Sequence, residues 1–365
     1  MNGGRTGSLD LPLHGGRAPR WLYERMVTLA GLMLEVMLEE FPTADILARF
    51  ADPFWFQAFG SLLGFDWHSS GLTTVTLGAV KQALAARPRW PLHAAGGKGR
   101  ASRRTPDEIR AAADGAGIHL GEALVGASRL AAKVDGAALQ DGFQLYHHVF
   151  LFDDAGEWAV VQQGMQGAEG RYARRYHWFS RRVTDPVDRP HSGLAGDRAR
   201  GPVLDLTSSA SAAARQGMVT AVREVPPAAM VDLIARRPGG GVLPAGHAIP
   251  DAARIDRRLL ALYEQPPADF RSLLEREGVG PATVRALCMV AEVIYGVQAS
   301  RTDPLRYAFA HGGKDGHPFP VSRPLYDDSI AMLRRVADRT RLDHSEKRAA
   351  LARLAAVARA AGSEQ

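Results

Sequence analysis

The chain has 365 residues, of which 46% are hydrophobic, so it can bury a full core and is not intrinsically disordered. Its 45 basic and 39 acidic side chains give a formal net charge of +6, which favours a polyanionic partner. The single cysteine, Cys288, excludes a disulfide framework and a cysteine-ligated zinc site. No apolar segment reaches membrane-spanning length and the N-terminus lacks a signal-peptide core, so we expect a cytoplasmic protein that does not use a membrane.

The first hundred residues predict helices separated by glycine-rich loops. Helical periodicity covers residues 21–40, and a second helix begins at Asp52-Pro53, where aspartate caps and proline takes the first turn. A loop over residues 64–71 precedes a helix over 73–86. A second glycine-rich loop over residues 96–104 contains Lys98, one of only five lysines among the 45 basic residues, and leads into a helix that begins near Thr105.

Residues 142–165 carry the strongest strand signal. The segments 146–152 and 158–163 are rich in β-branched and aromatic residues, and residues 153–156 (DDAG) form the turn between them. Both faces are largely apolar, which predicts a hairpin inside a buried sheet. Pairing Phe152 with Glu157 places His147 opposite Gln162.

The remainder of the chain is predicted to be mostly helical. Residues 185–200 and 236–247 are rich in proline, glycine and aspartate, so we interpret them as loops. Beyond residue 208 the pattern is helical, with final helices near 325–341 and 345–361. The predicted fold class is α+β, with a mixed domain over residues 9–205 and a helical region over 206–365.

Residues 268–296 predict a helix, a tight Gly278-Val279-Gly280 reversal and a second helix that starts at Pro281. This pattern resembles the helix-hairpin-helix module of many DNA-handling proteins. In such a module, backbone N–H groups of the turn and of the second helix hold a phosphate, so Gly278, Val279, Gly280 and Thr283 are candidate nucleic-acid contacts. The alternative is an ordinary helical corner with Val279 in the core.

A basic and aromatic stretch covers residues 171–182 (RYARRYHWFSRR), with five arginines and no acidic residue. Arginines contact phosphates and aromatic rings stack on bases, so Arg171, Arg174, Arg175 and Trp178 are candidate nucleic-acid contacts. The alternative is a half-buried strand with a solvated basic face. The loop around residue 98 adds two further candidates, Lys98 and Arg100.

Several polar side chains are candidates for chemistry. Asp66 and His68 lie in a glycine-bounded loop and predict, with His147, a site for a divalent metal ion such as Mg²⁺ or Mn²⁺. His148, Gln162 and His177 are further candidate ligands or proton carriers. The loop over residues 311–318 (HGGKDGHP) adds Lys314 and Asp315, a pair suited to an anion or phosphate site.

The DNA glycosylases that contain this hairpin invite a second comparison. Their catalytic aspartate follows the hairpin by some twenty residues, and here Asp303 follows Gly280 by 23 positions. Ala282 stands where the lyase members carry a lysine, which argues against lyase chemistry. Because Pro304 follows Asp303, helix capping is an equal explanation of this aspartate.

Six motifs together resemble one family over nearly the whole chain. They begin at Leu13, Gly64, Phe143, Trp158, Arg171 and His311. The set is similar to an archaeal and bacterial family known as domain of unknown function family 763. The resemblance implies one family-wide unit with the hairpin embedded near its C-terminal end, and it implies no activity.

These patterns lead to one main hypothesis and two alternatives. The main hypothesis is a DNA-processing or DNA-repair enzyme, a metal-dependent nuclease that acts on the phosphodiesters of DNA or RNA. Hairpin-dependent base excision and a non-catalytic DNA-binding or adaptor role are the alternatives.

Overall fold

A computed structural model of the chain describes residues 20–64, 71–166, 172–196, 199, 201–236, 252–305, 307–308, 323–340 and 344–362. The fold is α+β, as predicted. The helices are α1 (Arg20–Glu40), α2 (Thr43–Phe50), α3 (Pro53–Leu62), α4 (Gly71–Ala85), α5 (Arg100–Arg103), α6 (Thr105–Ala116), α7 (Gly121–Lys133), α8 (Ala212–Glu224), α9 (Pro227–Arg236), α10 (Ala252–Glu264), α11 (Phe270–Glu275), α12 (Pro281–Tyr295), α13 (Arg323–Arg339) and α14 (His344–Gly362). The strands are β1 (Leu92–Lys98), β2 (Leu139–Gln140), β3 (Phe143–Asp153), β4 (Trp158–Gln166), β5 (Ala173–Phe179), β6 (His191–Gly196), β7 (Leu204–Asp205) and β8 (Tyr307–Ala308).

Local sequence signals explain most of these elements. The Asp52 side chain accepts a hydrogen bond of 2.8 Å from the backbone N–H of Trp55, so aspartate caps α3 as predicted. Thr105 does not cap α6, since it is itself the first helical residue and its hydroxyl donates to the carbonyl of Ser102. The short helix α2 and the strand β1 were not predicted, and the strand β6 lies in residues 185–200, which were predicted to be a loop.

One sheet organises the molecule. Its strand order is β1-β3-β4-β5-β6-β8, with antiparallel neighbours except for the parallel pair β6 and β8. β2 and β7 form a separate two-stranded sheet. The strands β3, β4 and β5 are therefore interior strands, and a hydrophobic layer covers each of their faces.

The predicted register of the β3–β4 hairpin is wrong by one residue. Phe152 lies opposite Trp158, so His148 faces Gln162 and His147 faces Gln163. The cause is a loop of three residues, in which Gly156 adopts a φ of 85°. The Asp153 carboxylate accepts hydrogen bonds from two backbone N–H groups of this turn, which stabilises the shorter loop.

Two helical layers pack on the sheet. We call the face towards α6–α12 the C-terminal face, where Phe150, Val160 and Trp178 join one core with residues of α7, α8 and α12. We call the face towards α1–α4 the N-terminal face, where Val149 and Val161 join a second core. Residues from both sides of position 205 share the first core, so the predicted boundary there does not separate two hydrophobic cores.

None of the described helices has both the length and the hydropathy that are needed to cross a bilayer.

Candidate functional site

The helix-hairpin-helix is formed by α11 and α12. Gly278 adopts a φ of 77°, which glycine tolerates best, and Pro281 is the first residue of α12. No side chain among the described residues caps α12, so backbone N–H groups of its first turn remain available for an anion. Gly280 has an extended φ of −129°, and a Cβ added there meets nothing within 4 Å.

The four predicted hairpin contacts differ in their exposure. Gly278 is exposed and Gly280 is half-buried, so both can approach a ligand. Val279 is buried in the core and its N–H donates to the carbonyl of Arg276 at 3.2 Å. The side chain of Thr283 is also buried, so only the backbone of this residue suits the predicted role.

The hairpin is attached to the sheet layer through α7 and β2. The ammonium group of Lys133, the last residue of α7, donates a hydrogen bond of 2.6 Å to the carbonyl of Val279. Burial lowers the pKa of Lys133. The Gln140 amide donates to the carbonyl of Pro281 at 2.9 Å. These two bonds fix the position of the turn relative to α7.

A groove follows α7 from the hairpin to the sheet. It consists of two adjoining depressions of about 590 and 370 Å³, and both are lined by Arg129 and Ala132. The first also contacts Lys133 and Glu275 beside the hairpin. The second is lined by residues of α5, α6, α7, β3 and β4, namely Ser102, Arg103, Thr105, Pro106, Ser128, Leu145, Tyr146, His147, His148 and Gln162. We call these two adjoining depressions together the α7 groove.

Exposed basic side chains surround the sheet end of the α7 groove. Arg103 and Arg129 line it, and the predicted contacts Lys98 and Arg100 are exposed at the adjoining end of β1 and start of α5. The Lys98 ammonium lies 5.7 Å from the centroid of the Tyr146 ring. Positive charge therefore collects where the groove meets the sheet.

A polar relay forms the floor of the same depression. The Ser128 hydroxyl lies 2.8 Å from Nε2 of His148, and Nδ1 of His148 lies 2.8 Å from Oε1 of Gln162. The Gln162 amide donates to Oδ2 of Asp135 at 2.5 Å. Burial lowers the pKa of His148, so the imidazole is neutral near pH 7.

Asp135 is the end point of this relay. It lies in a π-helical turn, Val134–Ala138, that directly follows α7. Its carboxylate also accepts from Nε1 of Trp178 at 2.9 Å and contacts Nε2 of His191 at 2.5 Å. Trp178, a predicted nucleic-acid contact, is thus a buried donor inside the sheet layer, since β5 is an interior strand.

Sequence reasoning missed Ser128 and Asp135, whereas it named His148 and Gln162 among the possible ligands or proton carriers. The contact between His148 and Gln162 could have been predicted from the correct hairpin register, because that register places the two residues opposite each other on the same face of the sheet. The pairing with Ser128 depends on how α7 packs on β3 and β4, which the sequence pattern does not encode.

His147 lies on the opposite face of the sheet from His148. It is buried, and its Nδ1 atom has no hydrogen-bond partner among the described residues. Burial, together with the charges of Lys98 and Arg175, lowers its pKa to about 3. Neighbouring cations oppose the binding of a metal ion by this imidazole.

The predicted metal site has one member in the described part of the chain. Asp66 and His68 lie outside it, in residues 65–70. Across the described ranges, no group of three or more His, Cys, Asp or Glu side chains is placed to hold a metal ion. Lys314, Asp315 and Arg171 also lie outside the residues that the structure describes.

His177 is enclosed between β5 and the N-terminal helices. Its Nδ1 atom lies 3.0 Å from the carbonyl of Phe50, and its ring meets the ring of Phe56 edge to face. Burial is the main reason that its pKa lies well below the usual value for histidine. His177 is therefore a neutral core residue that does not line the α7 groove.

Arg174 is fully buried, in contrast to the predicted phosphate contact. Its guanidinium contacts Oδ2 of Asp141 at 2.9 Å and both carboxylate oxygens of Asp303, at 2.9 and 2.7 Å. Although burial alone lowers the pKa of Arg174, the two carboxylates raise it. These internal ion pairs engage both terminal nitrogens, and the whole side chain is buried, so Arg174 cannot meet a nucleic-acid phosphate.

Arg175 is buried on the other face. Its guanidinium donates to the amide oxygen of Gln57 at 2.5 Å and lies 4.7 Å from the centroid of the Phe56 ring. Burial lowers its pKa to about 9. Sequence reasoning placed both arginines on an accessible surface, whereas helical layers cover both faces of β5.

Asp303 forms the other half of the Arg174 ion pair. Its side chain is 2% exposed, and its carboxylate also accepts a hydrogen bond of 2.9 Å from the N–H of Leu305. No helix follows within residues 301–305, so the capping explanation is wrong. A carboxylate engaged in this way does not face a groove where it could activate water, so the geometry gives base excision no support.

The fold and the groove define an α+β protein with an embedded helix-hairpin-helix. A family model described as "Protein of unknown function (DUF763)" matches residues 7–321, and the chain belongs to this family. Neither the comparison with curated proteins nor the comparison with solved structures finds a match.

Proposed function

We propose that this protein binds nucleic acid, most specifically the phosphodiester backbone of DNA, along the α7 groove. One observation carries the proposal: Arg129 and Ala132 line both depressions, so the hairpin and the basic sheet end lie along the same stretch of α7. The anion-binding end of α12 and the exposed cations then contact successive phosphates of one strand.

Charge supports the same assignment. Of the described residues that line the depression at the sheet end, two are arginines and none is an aspartate or glutamate. Arginine donates in a planar fork that fits phosphate oxygens. Arg258, whose side chain passes about 3.6 Å from a Cβ built on Gly278, adds a cation beside the hairpin. These contacts position a backbone without reading its bases.

We further propose that the bound phosphodiester is processed in this groove. The predicted use of Mg²⁺ or Mn²⁺ depends on Asp66 and His68, which lie in residues 65–70. His147 gives that metal site little support, because it is buried beside two cations. Cleavage assays with each metal and with EDTA separate a metal-dependent nuclease from a metal-independent one.

Gly280 provides the sharpest test of binding. A Cβ at this residue meets no atom of the described residues within 4 Å and its φ is unstrained, so Gly280→Ala should leave the fold intact. The added methyl group enters the space in front of the first turn of α12. We expect the variant to bind labelled DNA about tenfold more weakly, a change of about 1.4 kcal/mol, by fluorescence anisotropy.

Gly115→Ala is the matched control, because this helical glycine in α6 also has open space around its Cβ. It should bind DNA as the wild type does. Arg129→Gln should reduce the slope of log Kd against log salt by about 1. Wild-type affinity in Gly280→Ala would remove the hairpin from the proposed interface, and preferential binding of RNA would change the partner.

A further inference from the structure

We infer that Ser128 and His148 form a nucleophile–base pair that cleaves a phosphodiester in the α7 groove through a covalent phosphoserine. This inference rests on the proposed binding of nucleic acid in that groove. It requires no metal ion, so it differs from the metal-dependent chemistry that the sequence predicts.

The hydrogen-bond directions follow from the buried carboxylate of Asp135. A carboxylate accepts, so the Gln162 amide nitrogen must face Asp135 and its oxygen must face His148. That oxygen is an acceptor, so Nδ1 of His148 carries the proton. Nε2 is then the acceptor on the neutral ring, and the Ser128 hydroxyl must donate to it. This is the arrangement that activates a hydroxyl nucleophile.

The surrounding structure holds the pair in place. Ser128 is on α7 and His148 is on β3, two elements of regular structure that the core packs together. The Gln162 amide also donates to the carbonyl of Ala131 at 3.3 Å, one turn beyond Ser128 on α7. Gln162 and Asp135 act through His148 and are positioning residues.

The depression selects the chemical class of the substrate. Arg103 and Arg129 lie on its wall, while Ser128 and His148 form part of its floor. Guanidinium groups stabilise the negative charge on the oxygens of a phosphoryl group during transfer. A phosphodiester therefore fits this site better than a neutral ester.

Two steps complete the reaction. The Ser128 oxygen attacks phosphorus, the bond from phosphorus to a sugar oxygen breaks, and the hydroxyl proton passes through Nε2 of His148 to that leaving oxygen. Water then attacks the phosphoserine and gives a proton to His148. The phosphorus–Oγ bond breaks, and Ser128 takes the proton back. Neither step needs a redox partner or a further reactant.

The test uses the full chain with end-labelled single-stranded and duplex DNA in EDTA. We expect wild-type protein to release fragments and to form a protein–DNA adduct that survives denaturing gels. Ser128→Ala should lose cleavage at least about 1,000-fold and form no adduct, while its Kd for DNA changes less than about twofold. Ser102→Ala is the matched control, because Ser102 lines the same depression and its hydroxyl donates to the carbonyl of Gly99.

A second measurement uses only the wild-type protein, so its result does not depend on whether a variant folds. Mass spectrometry of the trapped adduct should place the phosphate on Ser128. Cleavage that needs added metal and survives Ser128→Ala overturns the inference. DNA binding with no cleavage under any condition also overturns it. The proposed binding of DNA stands in both cases. Absence of DNA binding overturns the proposed function itself.

The positioning role of Gln162 has a separate readout. Gln162→Leu removes the oxygen that accepts from Nδ1 of His148, a hydrogen bond that raises the pKa of this imidazole, so the pKa should fall. The acidic limb of the rate profile should then move to lower pH, with Arg103, Arg129 and the carboxylate of Asp135 still present around the ring. An unchanged profile would show that the ring does not act as the base.

Discussion

Neighbouring polar residues on the two faces of the central sheet have different kinds of partner. On the C-terminal face, Arg174 meets two carboxylates and both ring nitrogens of His148 have a partner. On the N-terminal face, Arg175 has an amide and an aromatic ring as partners, and Nδ1 of His147 has no hydrogen-bond partner in the described part of the chain. Adjacent residues of the same type thus occupy opposite electrostatic environments.

The difference follows from what covers each face. The two carboxylates that pair with Arg174 come from irregular segments, Asp141 between β2 and β3 and Asp303 after α12. The partners of His148 come from regular elements, Ser128 on α7 and Gln162 on β4. The helices on the N-terminal face contribute mostly apolar side chains, and the acceptors they offer to Arg175 and His177 are neutral, the Gln57 amide and the Phe50 carbonyl. Carboxylates therefore compensate the buried cation on the C-terminal face, whereas neutral groups do so on the N-terminal face.

The largest expected effect is on stability at Arg174. Replacing it with alanine leaves Asp141 and Asp303 buried without their cation, which should cost about 3–5 kcal/mol in the free energy of unfolding. Arg175→Met keeps an apolar chain beside Phe56 and removes a poorly compensated charge, so its cost should stay below about 1 kcal/mol. Urea denaturation measures the free energy of unfolding of both variants, and equal losses relative to the wild type would contradict this prediction.

The buried histidines predict a pH-dependent stability. The pKa of His147 is lowered to about 3, and those of His148 and His177 are also lowered. A histidine in the unfolded chain has a pKa of about 6.5, so below that pH the unfolded state binds protons that the folded state excludes. Stability is therefore complete above about pH 6.5 and falls as the pH decreases towards the folded-state values.

At pH 5 the burial of neutral His147, whose folded-state pKa is about 3, should cost about 2 kcal/mol relative to pH 7 or above. Urea denaturation at pH 7 and pH 5 measures the loss. The variant His147→Gln should show a smaller difference between the two pH values, by about that amount. An unchanged difference would mean that this imidazole is protonated in the folded protein at pH 5.

A smaller effect is expected at the neighbours Gln162 and Gln163. Gln162→Leu leaves Nδ1 of His148 and one oxygen of Asp135 without their partner, at a cost of about 1–3 kcal/mol. Gln163→Leu faces the other side and removes a bond to the half-buried Tyr146 hydroxyl, so its cost should be smaller. Thermal unfolding measures the loss of stability in each variant. A larger loss for Gln163→Leu than for Gln162→Leu would contradict this prediction.

Sequence reasoning succeeded where local chemistry decides the structure. The cap at Asp52 and the glycine turn at Gly278 both follow from short-range steric and hydrogen-bond preferences. It failed at Arg174 and Trp178, because charge and aromaticity were taken as signs of exposure. Buried charges need partners that are distant in sequence, and Asp303 lies 129 positions from Arg174.

The sequence by itself determined the α+β class, the family, the helix-hairpin-helix and the basic character of the chain, since each depends on composition or on contacts a few residues apart. Only the tertiary structure decided that His148 hydrogen-bonds to Ser128 while the adjacent His147 lies near the cations Lys98 and Arg175. A shift of one residue in the hairpin exchanges the two faces of a strand. The relay also needs α7, β3, β4 and the π-helical turn to meet, and packing of the core brings these segments together.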